Sequence, residues 1–456
     1  MGLHMNKIKK FLASGVLFLP LVALSAFADA AEETTRSEHK SDITEEKYFA
    51  KFQSTYIGQL KPAFNAPYSG ENSFLPQRET GYSGSLTAFF ACRLWANGEL
   101  HFNPEIIQLG TFSNLRGLGG LTNSEQQKTS GRKPKSYRAR AFFRQSFDFG
   151  GGQDAVDSSP LQLAGLVDRH RLVVTAGNFS ALDIFDNNSY AHDPRTQFLN
   201  WSFLTHGAYD YAADARGYTN GAALEYYHDE WAVRVGRFMG PLESNGLALD
   251  SRLSIHHGDQ VEVEYSHTVF ARPGKVKLLA FRNRENMGNF IDAITFARAN
   301  GGIPDVGNVR RDNVKVGFGI NIEQSLWSDV GVFARASWSD GKSETYSFTE
   351  IENSMSAGLA IKGEKWGRPN DTVGLAVAEN GLNKFHRDYL ALGGLGAFIG
   401  DGQLNYRPER IAEVYYNIHL LGTSSMALGY QRIANPAYNA DRGLVNVFSV
   451  RLHTDF

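Results

Sequence analysis

The feature that most constrains the fold of this chain is a two-residue alternation of apolar and polar side chains. Near the carboxyl end, Phe448, Val450 and Leu452 alternate with Ser449 and Arg451. A period of two places these sets on opposite faces of a β-strand. The same pattern returns in many segments upstream, whereas helical periodicity is scarce. The alternation therefore predicts an all-β protein.

The connections between the predicted strands form a second pattern, in which short and long connections take turns. Tight turns are predicted at sites such as Asn97-Gly98, Asp229-Glu230 and Pro273-Gly274. The long connections lie between such turns, near residues 109–135, 179–218, 239–258, 285–311 and 380–407. If the last strand ends on the periplasmic side, the short turns share that side and the long connections lie outside. Counting back to a first strand near Tyr48–Leu60 gives about 16 strands.

A transmembrane barrel explains this pattern better than a soluble β-sandwich. Strands of about ten residues with one continuous apolar face are typical of outer-membrane barrels. Aromatic residues such as Trp231 and Tyr416 lie at strand ends, where a ring with a polar edge suits the headgroup level. Closure also pairs every backbone N–H and C=O inside the hydrocarbon. We therefore expect an antiparallel β-barrel of about 16 strands, with short periplasmic turns and long extracellular loops.

The amino end has the pattern of a secretory signal peptide. Lys7, Lys9 and Lys10 precede an apolar run from Phe11 to Leu24, and small residues follow. That run is too short to span a membrane as a helix. The predicted organisation is a signal peptide over residues 1–30, a disordered leader over 31–47 and a barrel domain over 48–456. The mature protein is therefore expected to be exported.

The polar positions of the alternation carry both signs of charge. A barrel of about 16 strands is too wide to be filled by its own side chains, so we expect a water-filled lumen. The residues predicted to line it are Arg93, Arg138, Arg140, Arg144, Arg234, Arg335, Glu105, Glu262, Glu264, Glu323 and Glu413. Guanidinium groups beside carboxylates match sugar hydroxyls, and mixed signs give no large ion preference. The alternative is that these residues only solvate the wall and pair with one another.

The longest connection, residues 179–218, is rich in aspartates and aromatic residues. Loops of this length in a compact body are usually functional or disordered, and the apolar content argues against disorder. We expect the segment to fold into the lumen and to narrow it. Trp201, Asp214 and Arg216 are its predicted constriction residues, with aromatic rings available to stack on sugars. The alternative is a loop that caps the barrel from outside.

Five motifs spread over the chain carry a family resemblance. They are Lys61–Gly70, Gly98–Glu105, Arg138–Gln145, Tyr211–Tyr218 and Asn435–Gly443. Together they resemble the carbohydrate-selective (OprB-type) porins of Gram-negative outer membranes. The resemblance covers nearly the whole mature chain, and it implies a 16-stranded barrel that passes monosaccharides by diffusion. It also implies a narrow eyelet of arginines and acids, carried here by Glu105, Arg138, Arg140 and Arg144.

The predicted function is passive, carbohydrate-selective diffusion through the outer membrane, without catalysis, cofactor or metal. The alternatives are a general or anion-preferring porin, a barrel that exports an acidic exopolysaccharide, a barrel hydrolase and an adhesin. The expected partners are sugars and outer-membrane lipids, with a homo-trimer as one assembly to test. Nucleic acid is not an expected partner, because 46 Lys+Arg stand against 48 Asp+Glu. Phosphate-loop, His-Glu-x-x-His and Gly-x-Ser-x-Gly motifs are absent from the sequence.

Overall fold

Sixteen strands close into one antiparallel barrel in the computed structural model of this chain. The structure describes residues 45–128, 131–348 and 350–456. The barrel strands are β1 (Tyr48–Lys61), β2 (Glu79–Trp95), β3 (Gly98–Gly110), β4 (Lys135–Asp148), β7 (Arg171–Phe179), β8 (Thr219–His228), β9 (Trp231–Phe238), β10 (His257–Val269), β11 (Arg272–Met287), β12 (Arg311–Ser325), β13 (Val330–Ser339), β14 (Asn353–Gly363), β15 (Arg368–Gly381), β16 (Glu409–His419), β17 (Ser425–Ala434) and β18 (Val445–Asp455). A separate two-stranded sheet is formed by β5 (Gln153–Val156) and β6 (Gly165–Asp168). The predicted number of barrel strands is confirmed.

The barrel closes where its first strand meets its last. β1 pairs with β18 in a continuous register from Gln53 opposite Asp455 to Leu60 opposite Phe448. Each barrel strand therefore has two hydrogen-bonded neighbours, and no edge of the sheet is left unpaired. Such closure is what a sheet needs in a solvent that cannot hydrogen-bond to the backbone.

The two ends of the barrel differ in the length of their connections. At one end, here called the short-turn end, most connections are turns of two to five residues. The connection 149–170, which carries β5 and β6, is the exception. At the other end, here called the long-loop end, the connections include residues 111–134, 180–218, 239–256, 288–310 and 382–408. The longest connections therefore lie at one end of the barrel and most of the tight turns at the other.

Three of the short turns use backbone conformations that favour residues able to adopt a positive φ. Asn97 and Asp229 have φ values of 60° and 52°. The turn predicted at Pro273-Gly274 lies instead at Phe270 and Ala271, with φ values of 51° and 59°, and Pro273-Gly274 belongs to β11. Two successive left-handed residues give the turn twist that matches paired strands, which explains the position of this turn despite its apolar residues.

Helices occur only in the connections of the described ranges. The α-helices are α1 (Trp201–Leu204), α2 (Phe290–Asn300) and α3 (Lys384–Ala391). Short 3-10 helices cover Phe112–Leu115, Ser124–Lys128, Ala181–Asp183, Val306–Val309, Glu364–Trp366 and Pro436–Tyr438. Among the described residues, none of these helices has the length and apolar character needed to span a membrane.

Burial in the barrel is inverted relative to a soluble protein. On β18, Phe448 and Val450 face outward and are 48% and 43% exposed, whereas Ser449 and Arg451 face the lumen and are 8% and 2% exposed. The same alternation holds on the other strands, where buried polar side chains line the inside. The outer wall is therefore apolar and the lumen polar, which suits a barrel surrounded by hydrocarbon.

The predicted signal peptide, residues 1–30, lies outside the described residues, as does most of the predicted leader. Residues 45–47, the described end of that leader, lie against the connection 149–170. The backbone N–H of Glu46 donates to the carbonyl of Ala164 at 3.0 Å, and the N–H of Ala164 donates to Glu46 Oε2 at 2.8 Å. These bonds join the start of the barrel domain to the connection that carries β5 and β6.

A charge placed on the outer wall should test which face meets the hydrocarbon. Val450→Arg should lower the free energy of unfolding by about 2–4 kcal/mol, because the substitution exposes a cation to lipid near mid-strand. Leu420→Arg, in a turn at the end of the barrel, should cost only about 0–1 kcal/mol. Denaturant unfolding in phospholipid vesicles measures both, and equal effects at the two positions would contradict the inverted arrangement.

Candidate functional site

The long connection 180–218 lies inside the barrel and is held there by side chains of the wall. The backbone N–H groups of Leu199 and Asn200 donate to Glu413 at 2.7 and 2.9 Å. The guanidinium of Arg451 donates to three carbonyls of the loop at 3.0, 2.5 and 2.8 Å. A buried loop needs such partners, because its backbone cannot reach bulk water. A loop that caps the barrel from outside does not fit these contacts.

Asp186 is the centre of the contacts that hold residues 180–218, here called the inner loop. Its carboxylate accepts hydrogen bonds from Arg335 Nε at 3.1 Å and from Thr205 Oγ1 at 2.7 Å. Its backbone N–H donates to Glu262 Oε2 at 2.7 Å. Arg335 and Glu262 are buried, with exposed fractions of 3% and 1% for the whole residue. Both were predicted to line the pore, and the structure instead places them as anchors behind the inner loop.

The interior of the inner loop is an aromatic core. The ring of Trp201 lies parallel to that of Tyr211, with centroids 6.4 Å apart, and packs 5.1 Å from the ring of Phe348. Trp201 has no exposed surface. The expectation that its ring stacks on sugars is therefore wrong, because the aromatic residues of this loop are spent on packing the loop itself.

Asp214 shapes the turn that presents two residues to the lumen. Its carboxylate accepts hydrogen bonds from the backbone N–H groups of Arg216 at 2.9 Å and Tyr218 at 3.1 Å. Burial raises the pKa of Asp214, and these hydrogen bonds only partly offset that rise. The guanidinium of Arg216 lies 4.7 Å from the centroid of the Tyr137 ring. Asp214 therefore has a positioning role, while Arg216 reaches the lumen.

A β-bulge separates the three arginines of β4 that were predicted to share one face. Register with β3 shifts at Pro104, and Ala139 becomes an extra residue between Arg138 and Arg140. Proline has no N–H to donate, so the ladder breaks at this point. Arg140 pairs with a lumen-facing residue of β3, but Arg138 pairs with outward Pro104 and donates to Asn178 on the outer side at 3.2 Å. The prediction that Arg138 lines the pore is wrong.

Four charged side chains meet in a closed cluster where two loops approach the wall. Lys128 Nζ lies 2.9 Å from Glu105 Oε1 and 3.0 Å from Glu125 Oε1. Arg195 Nη2 lies 2.6 Å from Glu105 Oε2 and 3.1 Å from Glu125 Oε2. Thr87 Oγ1 donates a further hydrogen bond to Glu105 at 2.6 Å. The cluster joins β3, the connection 111–134 and the inner loop into one rigid unit with no net charge.

The surroundings keep both cations of this cluster charged. Burial and the neighbouring Arg195 lower the pKa of Lys128, but Glu105 and Glu125 outweigh them and leave it above its ordinary value. Burial likewise lowers the pKa of Arg195, and the two glutamates raise it well above its usual range. The cluster therefore keeps both of its positive charges across the physiological range of pH.

A second ion pair lines the same cavity as this cluster. Arg140 donates to Asp183 through Nε at 2.7 Å and Nη2 at 2.6 Å, in a bidentate contact. The side chains of Arg140 and Arg195 are 16% and 13% exposed, whereas that of Glu105 has no exposed surface. A cavity of about 550 Å³ lies between these groups, and Tyr218 is also part of its lining. The guanidinium edges face the water, and Glu105 orients two cations from behind.

The remaining predicted residues lie elsewhere in the lumen. Arg234 Nη1 bridges Glu262 at 2.8 Å and Glu264 at 2.9 Å. Arg234, Glu264 and Arg144 line a second cavity of about 240 Å³. Arg93 lies near the short-turn end, 3.7 Å from Glu99. The predicted set is therefore divided between the charged cluster, a second cavity, the mouth at the short-turn end and the anchors of the inner loop. Those anchors include Glu413 and also Glu323, which accepts hydrogen bonds from Ser189. Arg138 lies outside the lumen.

Three residues of the constriction, Glu125, Lys128 and Arg195, were not predicted from the sequence. The first two lie at i and i+3 in a short helix of the connection 111–134, and the third follows Asp193-Pro194 in the inner loop. The two-residue alternation applies only to strands, so it cannot identify charged residues on loops that fold into the lumen. The only available signal was that both long connections carry charged residues amid apolar ones.

A closed antiparallel barrel whose long loops return inside to form a charged constriction defines a porin-type channel of an outer membrane. The model of the carbohydrate-selective porin, OprB family, matches residues 91–456. The chain belongs to the OprB family of carbohydrate-selective porins. It is therefore a sugar-selective porin of the Gram-negative outer membrane, as the resemblance implied.

Solved structures are similar to this chain at low sequence identity. OprB of Pseudomonas putida matches with a TM-score of 0.68 and 17% identity, over 90% of this chain and 94% of that one. The outer membrane channel DcaP of Acinetobacter baumannii matches with a TM-score of 0.49 and 8% identity, over 92% of this chain and the whole of that one. A comparison with curated proteins found no match.

Removing the central aromatic ring should loosen the inner loop. Trp201→Ala leaves a cavity in its core and should cost about 3–5 kcal/mol of loop stability. The expected result is a larger or noisier single-channel conductance in planar bilayers. Trp231→Ala, on the outer wall at the short-turn end, is the control and should leave conductance unchanged. An unaltered conductance in Trp201→Ala would show that the packing of this ring does not set the width of the pore.

Acid should destabilise the inner loop through His206. Burial lowers the pKa of His206 from 6.5 to about 4, although Asp186 opposes that shift. Between pH 6.5 and pH 4, His206 is therefore protonated in the unfolded chain but neutral in the folded loop. The free energy of unfolding falls over this range as the pH is lowered toward 4. The loss should total at most about 3 kcal/mol.

Unfolding free energies measured between pH 7 and pH 4 test this effect. His206→Gln should remove part of the pH dependence, whereas His228→Gln, at an exposed position, should keep it. The same slope in His206→Gln and in the unmodified protein would assign the acid sensitivity to other groups.

Proposed function

We propose that sugars cross this porin through the constriction between the connection 111–134, the inner loop and the wall of β3 and β4. The single observation that carries the proposal is the neutral cluster of Glu105, Glu125, Lys128 and Arg195 beside a water-accessible cavity. We also propose that the short-turn end faces the periplasm, as is general for such barrels.

The pairing of charges favours sugars over ions at this point. Each cation has a carboxylate within about hydrogen-bond distance, so neither sign of ion is concentrated. A sugar hydroxyl both donates and accepts hydrogen bonds, so it can bind to the outer N–H groups of Arg195 or Arg140 and to the oxygens of Asp183. Such contacts exchange with water at little net cost, and weak binding is what allows release and flux.

Fixed geometry is the second supporting feature. Glu105 is fully buried and holds Lys128 and Arg195 from the wall side. The cations therefore do not have to reorganise when a sugar enters, which lowers the entropic cost of each passage. Arg140, held by Asp183 through two bonds, has the same property.

Loss of one guanidinium should weaken sugar selection. Arg195→Gln should reduce the preference for a monosaccharide over a disaccharide by about fivefold, the equivalent of one charge-assisted hydrogen bond of about 1 kcal/mol. Liposome swelling with glucose and with maltose measures this ratio. Arg93→Gln, a lumen arginine outside the constriction, is the matched control and should keep the ratio. An equal change of the ratio in both variants would show that the cluster does not determine the selectivity for sugars.

Removing the buried carboxylate should change ion selectivity instead. Glu105→Gln leaves Lys128 and Arg195 with one compensating carboxylate, so the constriction gains a positive charge. The reversal potential across a planar bilayer with a salt gradient should then shift toward anions. A reversal potential that stays at its original value would indicate that ions do not pass by this cluster.

A further inference from the structure

The outer wall of the barrel carries a groove that the channel function does not use. Its floor is made of small side chains on β13, β14, β16 and β17, namely Ala334, Ala336, Ala357, Ala412 and Ala434. Larger side chains stand around it, namely Ile320, Ile322, Met355, Val377 and Leu444. The groove has a volume of about 680 Å³ and lies in the half of the wall nearest the long-loop end.

Charged residues border this groove on the long-loop side. Arg410 Nε lies 2.6 Å from Glu379 Oε2, and both side chains are well exposed. Arg432 is also exposed and lines the groove beside Ala412. Within the described residues, Arg432 has no carboxylate at ion-pair distance and no side-chain hydrogen bond. The groove therefore has an excess positive charge on a surface that faces lipid, where an uncompensated cation is unfavourable.

The same arrangement occurs a second time on the wall. A groove of about 590 Å³ on β8, β9, β10 and β11 has an apolar floor that includes Leu224 and Val261. Toward the long-loop end, Arg237 binds Asp259 at 2.6 and 2.9 Å, and Arg282 lies 3.8 Å from the same carboxylate. Here two guanidinium groups lie beside one acid, so this groove also has one more arginine than acid. A repeat of this kind points to a ligand that is abundant around the barrel.

The opposite end of the outer wall has a different chemistry. Trp231 and Tyr265 pack with ring centroids 4.6 Å apart near the short-turn end, and Trp327 and Trp366 are exposed there as well. Indole and phenol rings suit ordinary phospholipid headgroups. Arginines suit phosphate groups, which their planar forks bind through two hydrogen bonds. The short-turn end therefore offers aromatic rings to phospholipid headgroups, while the two grooves offer arginines to phosphate groups near the long-loop end.

We propose that the alanine-lined groove binds a phosphorylated glycolipid of the outer leaflet. One acyl chain lies along the alanines, and a phosphate group contacts Arg432 and the free edge of Arg410. The inference uses the orientation in which the long-loop end faces the outside. A second copy of this chain is a poorer occupant, because two such faces would oppose arginine to arginine and one hollow to another.

Lipid binding in native mass spectrometry tests the proposal. The purified barrel in mild detergent is titrated with a bis-phosphorylated glucosamine lipid, with its dephosphorylated form and with phosphatidylglycerol. The unmodified barrel should bind the phosphorylated glycolipid about 25-fold more tightly than either of the others, since two charge-assisted hydrogen bonds, each worth about fivefold, are at stake. The doubly substituted Arg410→Gln, Arg432→Gln barrel should lose this preference.

Two further variants separate the acyl contact from general effects of charge and folding. Ala357→Phe fills the floor of the groove without changing charge, and it should also weaken glycolipid binding. Arg311→Gln is the matched control, because Arg311 is an exposed arginine of the same end that pairs with Asp292 outside the groove. It should bind as the unmodified barrel does. Glucose swelling rates should be unchanged in all variants, which verifies that the barrels are folded.

Three results would overturn the proposal. One is equal binding of the phosphorylated and dephosphorylated glycolipids to the unmodified barrel. Another is equal binding of phosphatidylglycerol, which would indicate a general anionic-lipid surface. The third is binding that survives both the arginine substitutions and Ala357→Phe. A failure of this kind leaves the sugar pathway untouched, because the substituted residues Arg410, Arg432 and Ala357 lie on the outer wall.

Discussion

The structure depends on one constraint, which is that every backbone polar group must find a partner away from bulk water. On the wall, closure of β1 on β18 meets this requirement strand by strand. Inside the barrel, the inner loop has no sheet to pair with. Side chains of the wall, such as Glu413 and Arg451, therefore bind its N–H and C=O groups directly. Many of the polar side chains on the inner face of the wall are thus bound to the inner loop.

The same constraint explains why so few of the charged lumen residues remain free to meet a sugar. Arg335 and Glu262 are buried under the inner loop and bind Asp186. Glu105 is buried as well, yet it sets the positions of Lys128 and Arg195. The charged cluster is rigid because its groups are paired, and the proposed selection of sugars uses only the outer edges of those pairs. Selectivity and stability therefore share the same contacts.

The fold was largely predictable from the sequence, while the site was predictable only in part. Alternation assigns faces wherever a strand is regular, and Arg140, Arg144 and Glu264 are among the residues that line the two cavities described above. It fails at Arg138, because the proline at position 104 introduces a bulge that reverses the face of one residue. A proline inside a predicted strand is a signal that such a reversal is near.

The residues of the loops show the other limit. From the sequence, the ring of Trp201 was expected to be exposed and able to stack on sugars. Tertiary packing instead buries it against Tyr211 and Phe348. Lys128 and Arg195 are far apart in the chain and meet only because two loops return to the same part of the wall. Contacts of this kind follow from long-range packing, which leaves no periodic trace in a single sequence.

The sequence by itself determined that this chain forms a closed barrel, apolar outside and polar inside, with long connections at one end. It did so because a period of two is a local property of each strand, and closure is the one arrangement that satisfies such strands in lipid. Only the tertiary structure decided which charges form the constriction, which merely anchor the inner loop, and which lie on the outer wall. Those outcomes depend on where loops pack in the lumen and on one register shift, and both are set by contacts between residues distant in the chain.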